Sequence, residues 1–167
     1  MLYSVAPKSG LARAAELAGQ VPALASWRLR RNQSVIAEVE FEVMHATYRA
    51  SGGIARVEEL VDLFQRQHGP THNMLADWIE RRQVICFEWN DGMWLPWFQF
   101  HRVALVPHPQ LATVFAELTP IFDHWELASW FAQPNSWLGG RIPVTIVLSD
   151  LEAVRAAARA DRYIADG

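Results

Sequence analysis

The chain has 167 residues, 51% of them apolar and 20% charged, the profile of a soluble protein with enough apolar material for one full core or two small helical ones. A single cysteine, Cys86, excludes an internal disulfide and any multi-cysteine zinc site, and fits a reducing compartment. A net charge of −3 excludes the overall electrostatic footprint of a dedicated nucleic-acid binder, and no apolar run reaches the roughly 18 residues that a membrane helix needs.

Taken in chain order, Gly10 to about Ser26 places Leu11, Ala14, Ala15, Leu17, Ala18 and Val21 at the spacing of an amphipathic helix, which Pro22 interrupts near its end. Met1 to Gly10 lacks the charged-then-apolar build of a signal peptide, so a cytoplasmic location is expected. Residues 1–50 hold six Lys/Arg against four acids, whereas 51–110 hold five against seven and 111–167 four against seven. Any DNA contact must therefore be local, and Arg28-Leu29-Arg30-Arg31 is the most basic stretch. A second helix is predicted from Gln33 to Ala50, with Val35, Ile36, Val39, Val43, Met44 and Ala46 or Thr47 as its apolar face and Ser51-Gly52-Gly53 as its stop.

Arg56 to Phe100 has the outline of a helix-turn-helix followed by a hairpin. Val57, Leu60, Val61 and Phe64 line one helix, His68-Gly69-Pro70-Thr71-His72 breaks it, and Leu75, Trp78 and Ile79 line a second helix ending near Arg81-Arg82. Val84 to Trp89 reads as a strand, Asn90-Asp91-Gly92 as a tight turn, and Met93-Trp94-Leu95 as the returning strand that Pro96 ends, a wing-like layout. For DNA, Thr71, His72 and Asn73 would open the second helix, with Arg81 and Arg82 near phosphate at its end; Asp77 and Glu80 on the same helix oppose this. Leu111, Val114, Phe115 and Leu118 form a further helix face, and Thr119-Pro120 is read as the cap of a helix reaching about Ala132.

Six of the eight tryptophans lie between residues 89 and 137, which predicts a dense aromatic core there. Val144 to Leu148 is β-branched and reads as a strand by propensity. Ser149-Asp150-Leu151-Glu152 reads as a capping box that opens a final helix from Asp150 to about Ile164. The expected fold is mainly α, a helical bundle with an embedded helix-turn-helix-like unit and one β-hairpin. Its expected parts are residues 1–55, 56–107 and 108–167.

No constellation points to catalysis. His68 and His72 stand four apart, but Gly69-Pro70 breaks the helix that would put them on one face, so no metal site is expected. There is no G-x-S-x-G elbow, phosphate-binding loop, or dinucleotide-type G-x-G-x-x-G. Cys86 sits between Ile85 and Phe87 and reads as an inert buried thiol, while Glu38, Glu40, Glu42, Glu58 and Glu59 read as solvated helix faces. Neither an enzyme nor a cofactor is expected.

The most informative stretch is Trp130 to Pro143, where Pro134, Gly139, Gly140 and Pro143 impose a rigid turn and two tryptophans with Leu138 occupy what would otherwise be a polar linker. Its pattern W-x-x-x-P-N-x-x-L-x-G-x-x-P, met by Trp130, Pro134, Asn135, Leu138, Gly140 and Pro143, resembles the signature of the Xre/MbcA/ParS-type toxin-binding domain. Leu95-Pro96-Trp97-Phe98-Gln99-Phe100 resembles the entry segment upstream of it, so the likeness spans roughly the last 75 residues. Two features depart from the family: the helix-turn-helix is not of the usual repressor type, and the run after Pro143, where the resemblance implies a short helix that is expected here too, is β-branched.

The resemblance implies an antitoxin that binds and blocks a RES-type NAD-consuming toxin and autoregulates its operon, with no cofactor. Its partners would be the toxin and operator DNA, as a homo-oligomer or a hetero-oligomer with the toxin. The residues it implies for toxin binding are Trp137, Leu138, Gly139, Gly140, Arg141, Tyr163, Asp166 and Gly167, the last three forming a tail at the toxin's NAD pocket. The alternative expectation is a stand-alone winged-helix DNA-binding regulator without a toxin.

Overall fold

The computed structural model describes residues 35–167. The helix expected over 10–26 and the basic stretch at Arg28 lie outside them. Among the described residues, seven α-helices and three strands follow in the order α1 (Val35–Tyr48), β1 (Ile54–Arg56), α2 (Val57–Arg66), α3 (His72–Glu80), β2 (Phe87–Trp89), β3 (Gly92–Pro96), α4 (Ala112–Leu118), α5 (His124–Ala132), α6 (Pro143–Ile146) and α7 (Leu151–Asp166). The fold is mainly helical with one small sheet, as the sequence predicts. No helix among the described residues is long and apolar enough to cross a membrane.

The expected hairpin forms at β2–β3. Its turn residues Asn90 and Asp91 take φ of 45° and 58°, the paired left-handed geometry that matches strand twist, before Gly92 starts the return. The sheet has one strand more than expected, because β1 pairs antiparallel with the other edge of β3 to give the order β1-β3-β2, with Ala55 opposite Leu95 and Phe87 opposite Trp94. Three residues between Gly53 and a helix are too short to show an alternating pattern.

The strand expected from Val84 begins only at Phe87. Ahead of it, side chains replace the missing neighbour strand. The Gln99 carboxamide accepts from the Ile85 N–H at 2.7 Å and donates to the Ile85 carbonyl at 2.9 Å, and His124 Nδ1 accepts from the Cys86 N–H at 3.4 Å. Buried backbone polar groups must find partners, and these two side chains supply them where a ladder does not.

Helix α1 keeps the predicted period, but its buried stripe keeps only Met44 of the predicted face among the described side chains. Ala37, Phe41, Met44 and Tyr48 face inward, whereas Val39 and Val43 are 58% and 55% exposed. The aromatic stripe offers more area and better contacts: Phe41 stacks on Trp89 at 5.0 Å, and the Tyr48 hydroxyl donates to the Ala128 carbonyl at 2.8 Å. Burial holds the Tyr48 phenol well above its ordinary pKa.

Three boundaries differ from the sequence reading. Helix α5 opens at Asp123 rather than Thr119-Pro120, because Asp123 accepts from the Glu126 N–H and Glu126 accepts from the Asp123 N–H, both at 2.8 Å. Helix α7 is capped by Asp150, which accepts from the Ala153 N–H, while the Ser149 hydroxyl turns back to the Ile146 carbonyl. That helix also runs through Asp166 and leaves only Gly167 beyond it, so the short tail expected after Arg162 is its last turn. The β-branched run after Pro143 enters a helix, α6, with Pro143 in its first turn.

Two apolar cores lie on opposite sides of residues 84–87. Ile85 and Phe87 belong to the larger one, built with α1, α4, α5, α6 and α7, while Val84 and Cys86 belong to the smaller one, built with α2, α3 and β3. The predicted aromatic core is in the larger: Trp125 meets Phe87 edge-on at 5.5 Å and Trp89 at 5.2 Å.

Candidate functional site

The Trp130–Pro143 loop is closed by its own backbone and then pinned to the final helix. The Asn135 N–H donates to the Arg141 carbonyl at 3.0 Å, and the Gly140 N–H returns to the Asn135 carbonyl at 2.9 Å. Gly139 and Gly140 take φ of 66° and 82°, a left-handed pair that side-chain-bearing residues adopt only with strain. The Asn135 side chain accepts from the Trp137 N–H at 2.9 Å, so the asparagine organises the turn from within.

Asp161, on α7, gathers the loop. Its carboxylate accepts from Trp130 Nε1 at 2.7 Å, Asn135 Nδ2 at 2.9 Å and Trp137 Nε1 at 2.9 Å. Sequence reasoning misses this residue, since it stands 18 positions beyond Pro143 on a helix read as ordinary. The available signal was indirect: two indole N–H groups and an amide in one apolar loop require an acceptor.

The loop residues divide by exposure. Trp137 is 56% exposed although its N–H is satisfied, Gly139, Gly140 and Arg141 lie on the surface, and Leu138 is buried at 4% in the larger core. Leu138 thus shapes the loop from inside. Arg141 Nε donates to the Leu138 carbonyl at 3.0 Å, which orients its guanidinium.

On α7, Ile164 is 64% exposed and lies one helical turn beyond Asp161, on the side where Trp137 is anchored. Tyr163, 80% exposed, is two residues past Asp161 and therefore turned to the other side of the helix; Asp166 is the last helical residue and Gly167 follows it. Trp137, Gly139, Gly140 and Arg141 are thus exposed together in one turn, and Ile164 is exposed on the helix to which that turn is pinned. Of these, Ile164 was not singled out by the sequence.

The residues expected at DNA sit at the two ends of α3, and the two arginines are engaged. Thr71 caps α3 by accepting from the Met74 N–H, with half-buried His72 and exposed Asn73 in its first turn. Arg81 pairs with Asp77 at 2.9 Å, and Arg82, with φ of 55°, donates to the Thr119 carbonyl at 2.8 Å behind α4. His68 sits exposed in the turn between α2 and α3. Among the described residues, no three metal-ligating side chains converge.

Two buried groups carry shifted protonation. Burial, with Glu58 nearby, raises the Cys86 thiol well above its usual pKa. Burial lowers His124 to about 4, with Arg82 adding to the effect and Asp123 opposing it. Compared with known proteins, the chain matches no family model, no characterised sequence and no solved structure.

Proposed function

We propose that this chain is an antitoxin-like binding module that neutralises a RES-type NAD-consuming toxin in the cytoplasm, using the surface formed by Trp137, Gly139, Gly140, Arg141 and the end of α7. The observation that carries the reading is the clamp on Asp161: it holds a tryptophan in place while leaving the ring more than half exposed. An aromatic anchor fixed before binding loses little conformational entropy on association, and tryptophan beside arginine is the usual composition of an interface hot spot. The signature residues Trp130, Pro134, Asn135, Leu138, Gly140 and Pro143 support the class of partner.

The test is co-expression with a RES-domain protein encoded beside this chain. A stable complex that suppresses NAD consumption is expected, and Arg141→Glu should weaken it at least tenfold without lowering the melting temperature, whereas Trp137→Ala should weaken it and also cost stability through the lost bond to Asp161. Persistent toxicity with no complex would overturn the proposal.

A second reading rests on topology. The order α1-β1-α2-α3-β2-β3 with the sheet order β1-β3-β2 is a winged helix-turn-helix layout, and it supports operator binding through Asn73 and the N-terminal end of α3. Mobility shifts on the chain's own promoter should then weaken steeply with salt, and Asn73→Ala should relax sequence preference. Absence of any shift at low salt leaves the protein-binding role alone.

A further inference from the structure

An open hollow of about 630 Å³ lies between the loop after β3 and helix α6, a size typical of small-molecule clefts. Its floor is apolar, made by Trp97 with the buried Phe98 and Val144. Its remaining wall carries His101, Arg102 and His108, and no carboxylate among the described residues lines it.

The loop holds these three groups in place. The His101 N–H donates to the Val106 carbonyl and the His108 N–H to the Gln99 carbonyl, each at 2.8 Å, which brings the two imidazole rings to 4.2 Å between centroids. His108 Nδ1 is buried without a hydrogen-bond partner among the described residues. Burial and the adjacent His101 both hold His108 below its ordinary pKa, as expected of an imidazole that lacks a nearby negative charge.

The other polar groups of the hollow are spent as donors. The hydroxyls of Ser51, Thr145 and Ser149 donate inward to the carbonyls of Tyr48, Ile142 and Ile146. Near the Arg102 guanidinium the backbone is glycine: a Cβ at Gly52 would stand 2.9 Å from Trp97 Cβ and 3.9 Å from Arg102 Nη2. Besides the Trp97 indole, the side-chain donors left on the lining are the Arg102 guanidinium and the two imidazoles.

We infer that this hollow binds a small organic anion, with an aromatic body lying on Trp97 and Phe98 and a phosphate or carboxylate held by Arg102 and the His101–His108 pair. Charge-assisted hydrogen bonds from a guanidinium suit such an oxyanion, and imidazole N–H groups can donate further hydrogen bonds to it. The inference stands apart from toxin binding, since none of these residues belongs to the Trp137 surface.

The probe is phenyl phosphate, titrated into the full chain by calorimetry while the imidazole resonances are followed by NMR. Saturable binding that moves the His101 and His108 signals together is expected, with phenol moving neither and inorganic phosphate binding about tenfold more weakly because it leaves the floor empty. Arg102 is exposed, so Arg102→Ala should fold and should weaken phenyl phosphate about tenfold; Arg102→Gln provides the same comparison should the alanine variant melt early. No saturable shift at millimolar phenyl phosphate, equal binding of inorganic phosphate, or unchanged affinity in the arginine variants would each overturn the inference.

Discussion

Asp161 takes three N–H donors from one loop, so its removal should be felt twice. Asp161→Ala leaves two indoles and an amide without their acceptor and should cost roughly 2–4 kcal/mol in urea denaturation, while the toxin complex weakens because Trp137 loses its anchor. A change within a few tenths of a kcal/mol would mean that the loop holds itself. His124 gives a pH signature. Its Nδ1 accepts from the Cys86 N–H, so the folded state needs the neutral ring, and its folded pKa of about 4 lies below the ordinary 6.5. The unfolded chain therefore binds the extra proton between those values. Stability should be complete above about pH 6.5, fall by on the order of 3 kcal/mol as pH drops toward 4, and change no further from this group below that. Thermal melts across that range check the slope, and His124→Asn, which retains an acceptor but cannot titrate, should flatten it. Neither residue was legible in the sequence, because Asp161 and His124 act on segments that only the fold brings beside them. Trp137 was legible, since an indole among glycines and prolines has few places to hide.

At the level of elements, caps separate the sequence reading from the structure. Ser149-x-x-Glu152 satisfies the capping pattern, yet Asp150 holds the α7 N-terminus and Ser149 finishes the preceding turn. Asp150→Ala should therefore cost about 1 kcal/mol and Ser149→Ala a few tenths, measured by denaturant midpoint. The reverse ranking would restore the serine as cap. Asp123-x-x-Glu126 carries the same signature, and Thr119-Pro120 forms the turn behind α4 instead. Helices α2 and α3 and the β2–β3 turn were legible because their signals are local: an apolar face, a Gly-Pro break, an Asn-Asp-Gly turn. The buried face of α1 was not, since the helix carries two apolar stripes and the choice between them depends on Trp89 and Ala128, far away in the chain.

For the whole molecule, the alternation along residues 84–87 means that the two cores share one wall. Neither side can lose that segment without exposing the other. Unfolding should thus be a single transition, with tryptophan fluorescence and far-UV circular dichroism superimposing on one denaturation curve. Two resolved transitions would show that the wall is not shared energetically. Cys86 lies in that wall, completely buried, and it is the sole thiol of the chain. A disulfide reagent added to the native protein can reach this sulfur only when the wall parts. Its labelling rate therefore serves as an internal clock: where opening and reclosing outpace the reagent, the rate scales with reagent concentration and reports the opening equilibrium, and where reclosing is slower, it levels off at the opening rate itself. The protein carries its own probe of how often its two halves come apart, with no label to engineer.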